Sequence, residues 1–150
     1  MIQKITTIND PNGEAILSKV AEQVDVQNKP YMAALVADLA DTAHSCQKPL
    51  ALGLAAHQIG RPVRAFVIKE GKKFKAIINP EVLETSARRK VSNENCLSFP
   101  GKPAIRVMRH REIKIRFYNP HTEEMQTRTF SKIKAVIVQH ELDHLDGKLV

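Results

Sequence analysis

Val138-Gln139-His140-Glu141-Leu142-Asp143-His144-Leu145-Asp146-Gly147 lies toward the C-terminal end of the chain, and the fold reads outward from it. His140 and His144 are four residues apart, a spacing that on an α-helix stacks both imidazoles on one face, where they can share a metal ion. Glu141 lies on an adjacent part of that face and can reach a water held by the same ion. His-Glu-x-x-His carries weight when it sits on a helix. Ile133, Val136, Ile137, Leu142 and Leu145 recur at helical spacing, so a helix beginning near Ser131 is expected to carry the motif.

With 150 residues, 43% of them hydrophobic, residues 1–150 are expected to form one domain with its own core. Met1-Ile2-Gln3-Lys4 is not followed by an apolar signal region, and no apolar run approaches the roughly 20 residues of a membrane span. Two cysteines, Cys46 and Cys96, are too few for a disulfide framework, so a reduced cytoplasm is expected. The net charge is +7, but the basic residues look scattered, with short runs at Lys72-Lys73 and Arg88-Arg89-Lys90. No sequence-specific nucleic-acid signature accompanies them.

Taken in order, Asp10-Pro11-Asn12-Gly13 reads as a turn or cap, and a short helix is expected from Glu14 with Ala15, Ile16, Val20 and Ala21 as its apolar residues. Lys29-Pro30 opens a longer helix running to about Ser45, with Met32, Leu35, Val36 and Leu39 buried. Small residues dominate Ala51 to Gly60, which permits close backbone approach. Strands are expected over Arg64–Lys69 and Phe74–Asn79, with a Glu70–Lys73 turn between them. Pro80–Leu83 reads as a separate extended or turn segment, and Asn93–Gly101 as turn-rich. Ile105 and Val107, then Ile113, Ile115 and Phe117, alternate with basic residues, which predicts strands with one solvated face. After a turn at Asn119–Thr122, Met125–Phe130 alternates again. Helices at both ends of a strand block predict an α+β fold: antiparallel sheets, N-terminal helices and a C-terminal helix carrying the motif.

Catalytic metal sites usually have three protein ligands. Between His144 and Val150 only Asp146 offers a donor, and two residues after His144 it points off the shared face, so the third ligand is expected upstream. The candidates are Cys96, Cys46, His44, His57, His110 and His121. Cys96 is favoured because it sits in a polar, turn-rich segment; Cys46, at a helix end, comes next. A Cys–His–His set suits zinc and equally iron(II), nickel or cobalt.

Three stretches together resemble the peptide deformylase family, whose motifs are G-x-G-L-A-A-x-Q, E-G-C-L-S and H-E-x-D-H in that order. Here they read Ala51-Leu52-Gly53-Leu54-Ala55-Ala56-His57-Gln58, Glu94-Asn95-Cys96-Leu97-Ser98 and His140-Glu141-Leu142-Asp143-His144. The resemblance implies sheets wrapped around a central helix that bears the histidines. It implies hydrolysis of the formyl group from the N-terminal formyl-methionine of nascent polypeptides, with release of formate. It assigns the metal to Cys96, His140 and His144, the acid–base role to Glu141, and oxyanion contacts to Gln58 and the Leu97 N–H. Iron(II) is the implied native metal, with zinc, nickel or cobalt able to replace it. The methionine slot is expected to be lined by Leu52, Gly53, Ile133, Val136 and Ile137. A monomer in a bacterial or phage-infected cytoplasm is expected; some bacterial members touch the ribosome through a C-terminal extension, a role left here to the basic surface.

Three positions depart from the family pattern. Ala51 and Asn95 replace glycines, and Ala51 would cost on the order of 1 kcal/mol if its φ had to be positive. His57 fills a position where a small residue or proline is commoner. Two other readings compete: a different metalloprotease with a third ligand other than Cys96, and a metal-stabilised binding protein without turnover.

Overall fold

A computed structural model describes all residues, Met1–Val150. Gly13–Leu17 form α1 and Lys29–Ser45 form α2; β1 (Gly53–Ala55) runs into a 3₁₀ turn, Ala56–Ile59. Then come β2 (Ala65–Glu70), β3 (Lys73–Thr85), β4 (Arg89–Glu94), β5 (Ile105–His110), β6 (Glu112–Asn119), β7 (Glu124–Ser131) and α3 (Lys132–Leu145). Every strand pairing is antiparallel, in a five-stranded sheet of order β1-β2-β3-β6-β7 and a separate β4-β5 hairpin. This is the expected α+β architecture. No helix is long and apolar enough to cross a membrane.

The run Ala65-Phe66-Val67-Ile68 explains how the layers stack. All four side chains are buried, because successive strand residues face opposite ways and both faces of the sheet are covered here. Phe66 and Ile68 join Ile77, Ile115 and Phe130 against Ala135, Val138, Leu142 and Leu145 of α3. Ala65 and Val67 face the other way, with Leu54 and Ile78, onto Met32, Leu35 and Leu39 of α2. The helix with the histidines is thereby held by a packed apolar face on one side of the sheet.

The long helix α2 spans the expected residues and begins on Asn28, whose side chain accepts a hydrogen bond from the Tyr31 N–H. The short helix departs from expectation. It has five residues, and Leu17 rather than Val20 enters the core; Val20 is 65% exposed. The β3 strand also exceeds its expected end at Asn79. A bulge between Ile78 and Glu81 absorbs Pro80, and the strand continues to Thr85. Asn79 takes φ 50° there, and its side chain clips the Val24 backbone through two hydrogen bonds of 2.8 Å. The outer end of the expected turn-rich region begins as a strand, β4, which the polar residues Arg89–Glu94 concealed.

In β5 the expected alternation holds, with Arg106 and Met108 on the solvated face, but the inner face shared by Ile105, Val107 and Arg109 buries the arginine, at 4% exposure, rather than Ile105, at 40%. Arg109 is buried because three carboxylate contacts satisfy its guanidinium.

Candidate metal centre

Three separate pieces of chain meet at the exposed end of the α3 core. His140, Glu141 and His144 come from α3; Cys96 and Leu97 come from the loop joining β4 to β5; Gln58 comes from the 3₁₀ turn after β1. The donor atoms of Cys96, His140 and His144 all lie within 4.8 Å of one another. Cys96 Sγ is 3.3 Å from His144 Nε2. None of the other upstream candidates joins them. His44 packs edge-on against Phe74, Cys46 caps α2, His110 Nδ1 is 2.7 Å from the Ser86 carbonyl, and His121 sits in the exposed β6–β7 turn.

His140 is oriented by a buried ion-pair chain. Its Nδ1 is 2.7 Å from Glu94 Oε1, which leaves Nε2 directed away from that carboxylate. Both Glu94 oxygens accept from Arg109, at 2.7 and 2.9 Å, and Arg109 also donates to Asp143 at 2.5 Å. Burial alone would raise the Glu94 pKa, but hydrogen bonds from Arg109 and His140 outweigh it and hold the carboxyl at about 2. A carboxylate behind a ligating histidine fixes its tautomer and raises its basicity. Residue reading alone missed Glu94, Arg109 and Asp143 as a unit. Asp143 lay inside the histidine motif and Glu94 two residues before Cys96; Arg109 falls on the Ile105–Val107 face of β5, where nothing local marks its carboxylate partners.

The donor set fits a divalent ion. Burial, reinforced by repulsion from His140, lowers the His144 pKa to about 3, so its imidazole is neutral, as a metal ligand requires. For His140 burial acts against the proton, but hydrogen bonds with Cys96 and Glu94 prevail and lift its pKa to about 10. A proton trapped between a thiol sulfur and an imidazole is what a cation displaces on binding. Beside the cluster the buried Glu141 Oε2 has no partner in the protein, and burying it for packing alone would be costly.

Glu141 is 4% exposed, and its burial raises the carboxyl to about 7, opposed by the nearby His140 charge. Gly53 is what lets it lie there: a Cβ on that residue would stand 2.6 Å from Glu141 Oε1. Gln58 is held at both ends. Its Oε1 accepts from the Ala55 N–H at 3.0 Å, while Nε2 is 3.2 Å from Ser98 Oγ and 3.5 Å from Cys96 Sγ. Ser98 is fixed in turn by donating to the Thr6 carbonyl at 2.7 Å. The Leu97 N–H donates to no backbone carbonyl of the chain.

Beside these groups is a cavity of about 280 Å³. Leu52, Gly53, Ile133, Val136 and Ile137 all line it, and so does Leu50, which carried no signal in the sequence. Gln58, Cys96, Leu97, His140 and Glu141 form its inner wall. His57 does not touch it. That side chain is fully buried, with Nε2 2.6 Å from the Lys19 carbonyl. Neither Ala51 nor Asn95 has a positive φ, so neither substitution for glycine strains the backbone.

A sequence model described as polypeptide deformylase matches residues 2–150. A peptide deformylase of Pseudothermotoga lettingae is 36% identical over 149 residues, covering 99% of this chain and 81% of that one. One from Aquifex aeolicus is 38% identical over 138 residues, covering 88% and 78% respectively. The crystal structure of peptide deformylase from Thermotoga maritima superposes with a TM-score of 0.84 at 31% identity, covering 99% of this chain and 95% of that one. Likeness at this identity, over most of each relative and nearly all of this chain, in sequence and fold alike, is shared descent: the chain belongs to the polypeptide deformylase family.

Proposed function

We propose that residues 1–150 form one catalytic domain that removes the formyl group from the N-terminal formyl-methionine of nascent polypeptides, releasing formate. The observation that carries this reading is the meeting of Cys96, His140 and His144 beside the buried Glu141 at the wall of an apolar cavity. Cys96 Sγ and the two imidazoles would hold the ion, with Glu94 and Arg109 fixing the angle of His140. When bound, the ion supplies Lewis acidity, which acidifies water at the site and draws charge from the formyl oxygen.

The chain's own groups account for the remaining steps. Glu141, whose burial raises its affinity for a proton, takes one from the water that attacks the formyl carbon. The new C–O bond puts negative charge on the formyl oxygen, which the Leu97 N–H, free of any backbone partner, and the Gln58 Nε2 hydrogen now turned toward Cys96 Sγ would receive. Glu141 then returns its proton to the departing amine as the C–N bond breaks. The methionine side chain occupies the apolar part of the cavity, against Leu52, Ile133, Val136 and Ile137. The readings as an unrelated metalloprotease or as a binding protein without turnover lose ground, because Cys96 supplies the third donor and Glu141 is poised for proton transfer.

Iron(II) is the metal we assign, and the protein acts as a monomer in a reducing cytoplasm. A thiolate-ligated ferrous site is open to oxidation, so the iron form should lose activity in air faster than a nickel form of the same protein. The decisive measurement is formate release from a formyl-methionyl peptide by protein loaded anaerobically with iron or nickel. If neither form releases formate, the assignment is wrong. A Cys96→Ser variant should fail to retain the metal; a protease using another third ligand would keep it.

A further inference from the structure

His57 takes no part in the cavity, yet it is a fully buried imidazole with one nitrogen left over. Its Nε2 is 2.6 Å from the Lys19 carbonyl oxygen, a contact that only an N–H makes favourable. Burial lowers its pKa against the pull of that carbonyl, so the ring is neutral and carries a single proton. With that proton on Nε2, Nδ1 is a bare acceptor, and no group of the protein donates to it. An unmade hydrogen bond in the interior is costly, and an apolar ring would serve packing better.

The ligand His144 presents the complement. Its Nε2 faces Cys96 Sγ at 3.3 Å and is the atom turned to the ion. A neutral imidazole that gives Nε2 to a metal carries its proton on Nδ1. That Nδ1 is buried and has no acceptor. His140 differs, because Glu94 stands behind its Nδ1 at 2.7 Å. Ligating histidines almost always donate their second N–H to a carboxylate, a carbonyl or a water, so His144 needs a partner that the metal itself cannot supply. Glu141 Oε2 is the other buried acceptor without one, but its carboxyl lines the cavity, where the proposed reaction uses it.

The C-terminal end of α3 brings the two rings together. The Ala21 N–H donates to the Leu145 carbonyl at 2.9 Å, and a Cβ on Gly147 would lie 3.2 Å from the Lys19 carbonyl carbon. The segment that holds His57 therefore also crosses the helical turn that bears His144. From the other side Gln58, next to His57 in the chain, reaches Cys96 Sγ at 3.5 Å. Burial and repulsion from His140 lower the His144 pKa, and His57 is the next contributor, so each ring lies in the other's field. We propose that His57 is a positioning residue for His144: its bare Nδ1 anchors one buried water that accepts from the His144 Nδ1–H and so fixes the angle of that ring at the metal. The water follows from two buried atoms with complementary roles that do not touch. The inference rests on the proposed metal site, but not on the reaction carried out there.

Long-range proton–nitrogen NMR of zinc-loaded, isotopically labelled protein reads the two tautomers directly. His144 should carry its proton on Nδ1 and His57 on Nε2, with neither ring charged at neutral pH. A His57 protonated on Nδ1 would overturn the assignment, whether or not any variant folds. Zinc affinity, measured by competition with a chelator, is the second readout. His57→Gln keeps an N–H near the Nε2 position for Lys19 but has no acceptor in place of Nδ1, and zinc should bind it about 10–100-fold more weakly. His57→Asn gives up the Lys19 contact but keeps an oxygen near the Nδ1 position, and should bind zinc nearly as the wild type does. The reverse order, or equal affinities in the two variants, would mean that His57 only ties down Lys19 and would sink the proposal. Neither readout uses a formyl-methionyl peptide. Absence of formate release therefore leaves this inference standing, and the wrong tautomers leave the proposed reaction standing.

Discussion

Glu141 owes both its place and its chemistry to the absence of a side chain at Gly53, where an added Cβ would sit 2.6 Å from Oε1. Gly53→Ala must push the carboxylate away from the reacting water. A displacement of about 1 Å at such a group costs on the order of 10² in rate. We expect kcat to fall by about that factor while bound metal, measured by elemental analysis, stays stoichiometric. Glu141→Ala removes the proton carrier altogether. It should also retain its metal, and formate release should fall by about 10²–10⁴; a variant that keeps near-normal turnover would assign the proton transfer to another group. The sequence showed these roles at different strengths. Spacing alone put His140 and His144 on one face, whereas the contact between Gly53 and Glu141 joins residues remote in the chain.

At the level of elements, α3 starts under strain. Strand β7 ends at Ser131 and the helix begins at once, so Lys132 is forced to φ 55°, a left-handed conformation that costs an ordinary side chain roughly 1 kcal/mol or more. The Ser131 side chain makes no cap hydrogen bond that would offset this. Lys132 is exposed and in no ion pair, so Lys132→Gly should gain about 0.5–1 kcal/mol net of the extra freedom it gives the unfolded chain. A thermal melt should show a rise of about 2–4 °C, and a decrease would show that the turn is not strained. The other end of the helix is already optimised. Gly147 takes φ 76°, and a Cβ there would lie 2.4 Å from the Ser18 carbonyl oxygen. Element type was legible from periodicity for α2, β2, β6 and α3. For β5 alternation gave the two faces but not which residue of the inner one is buried, since Arg109 shares that face with Ile105 and Val107 and Ile105 stays 40% exposed. Arg109 became the interior residue once Glu94 and Asp143 could neutralise it.

For the molecule as a whole, acid stability follows from carboxylates held below their ordinary range. Asp10 is lowered from 3.8 to about 2 by the Lys4 ammonium and by hydrogen bonds from Thr7. Its folded-state pKa is depressed, so its stabilising effect is present above about pH 4 and lost as the pH falls toward about 2. Glu70 shifts the same way: burial opposes its charge, but the Arg128 hydrogen bond and the nearby Lys134 prevail. Thermal midpoints should therefore drop through that interval. Asp10→Asn should melt lower than the wild type at neutral pH and approach it near pH 2; parallel curves would show that the Asp10 contacts do not contribute. The sequence by itself determined which residues could hold a metal, because a helical His-Glu-x-x-His is local and a rare pair of cysteines restricts the third donor. It also determined the α+β class, since hydrophobic period is a property of each segment alone. Only the tertiary structure decided that Cys96 rather than Cys46 meets the histidines and that Arg109 supports His140 through Glu94. Those outcomes depend on strand register and on pairing of charges far apart in the chain, which no local pattern encodes. The His140–His144 stretch supplies two donors of the metal group, but the packing of α3 against Gly53, Gln58 and the β4–β5 loop brings them to the third.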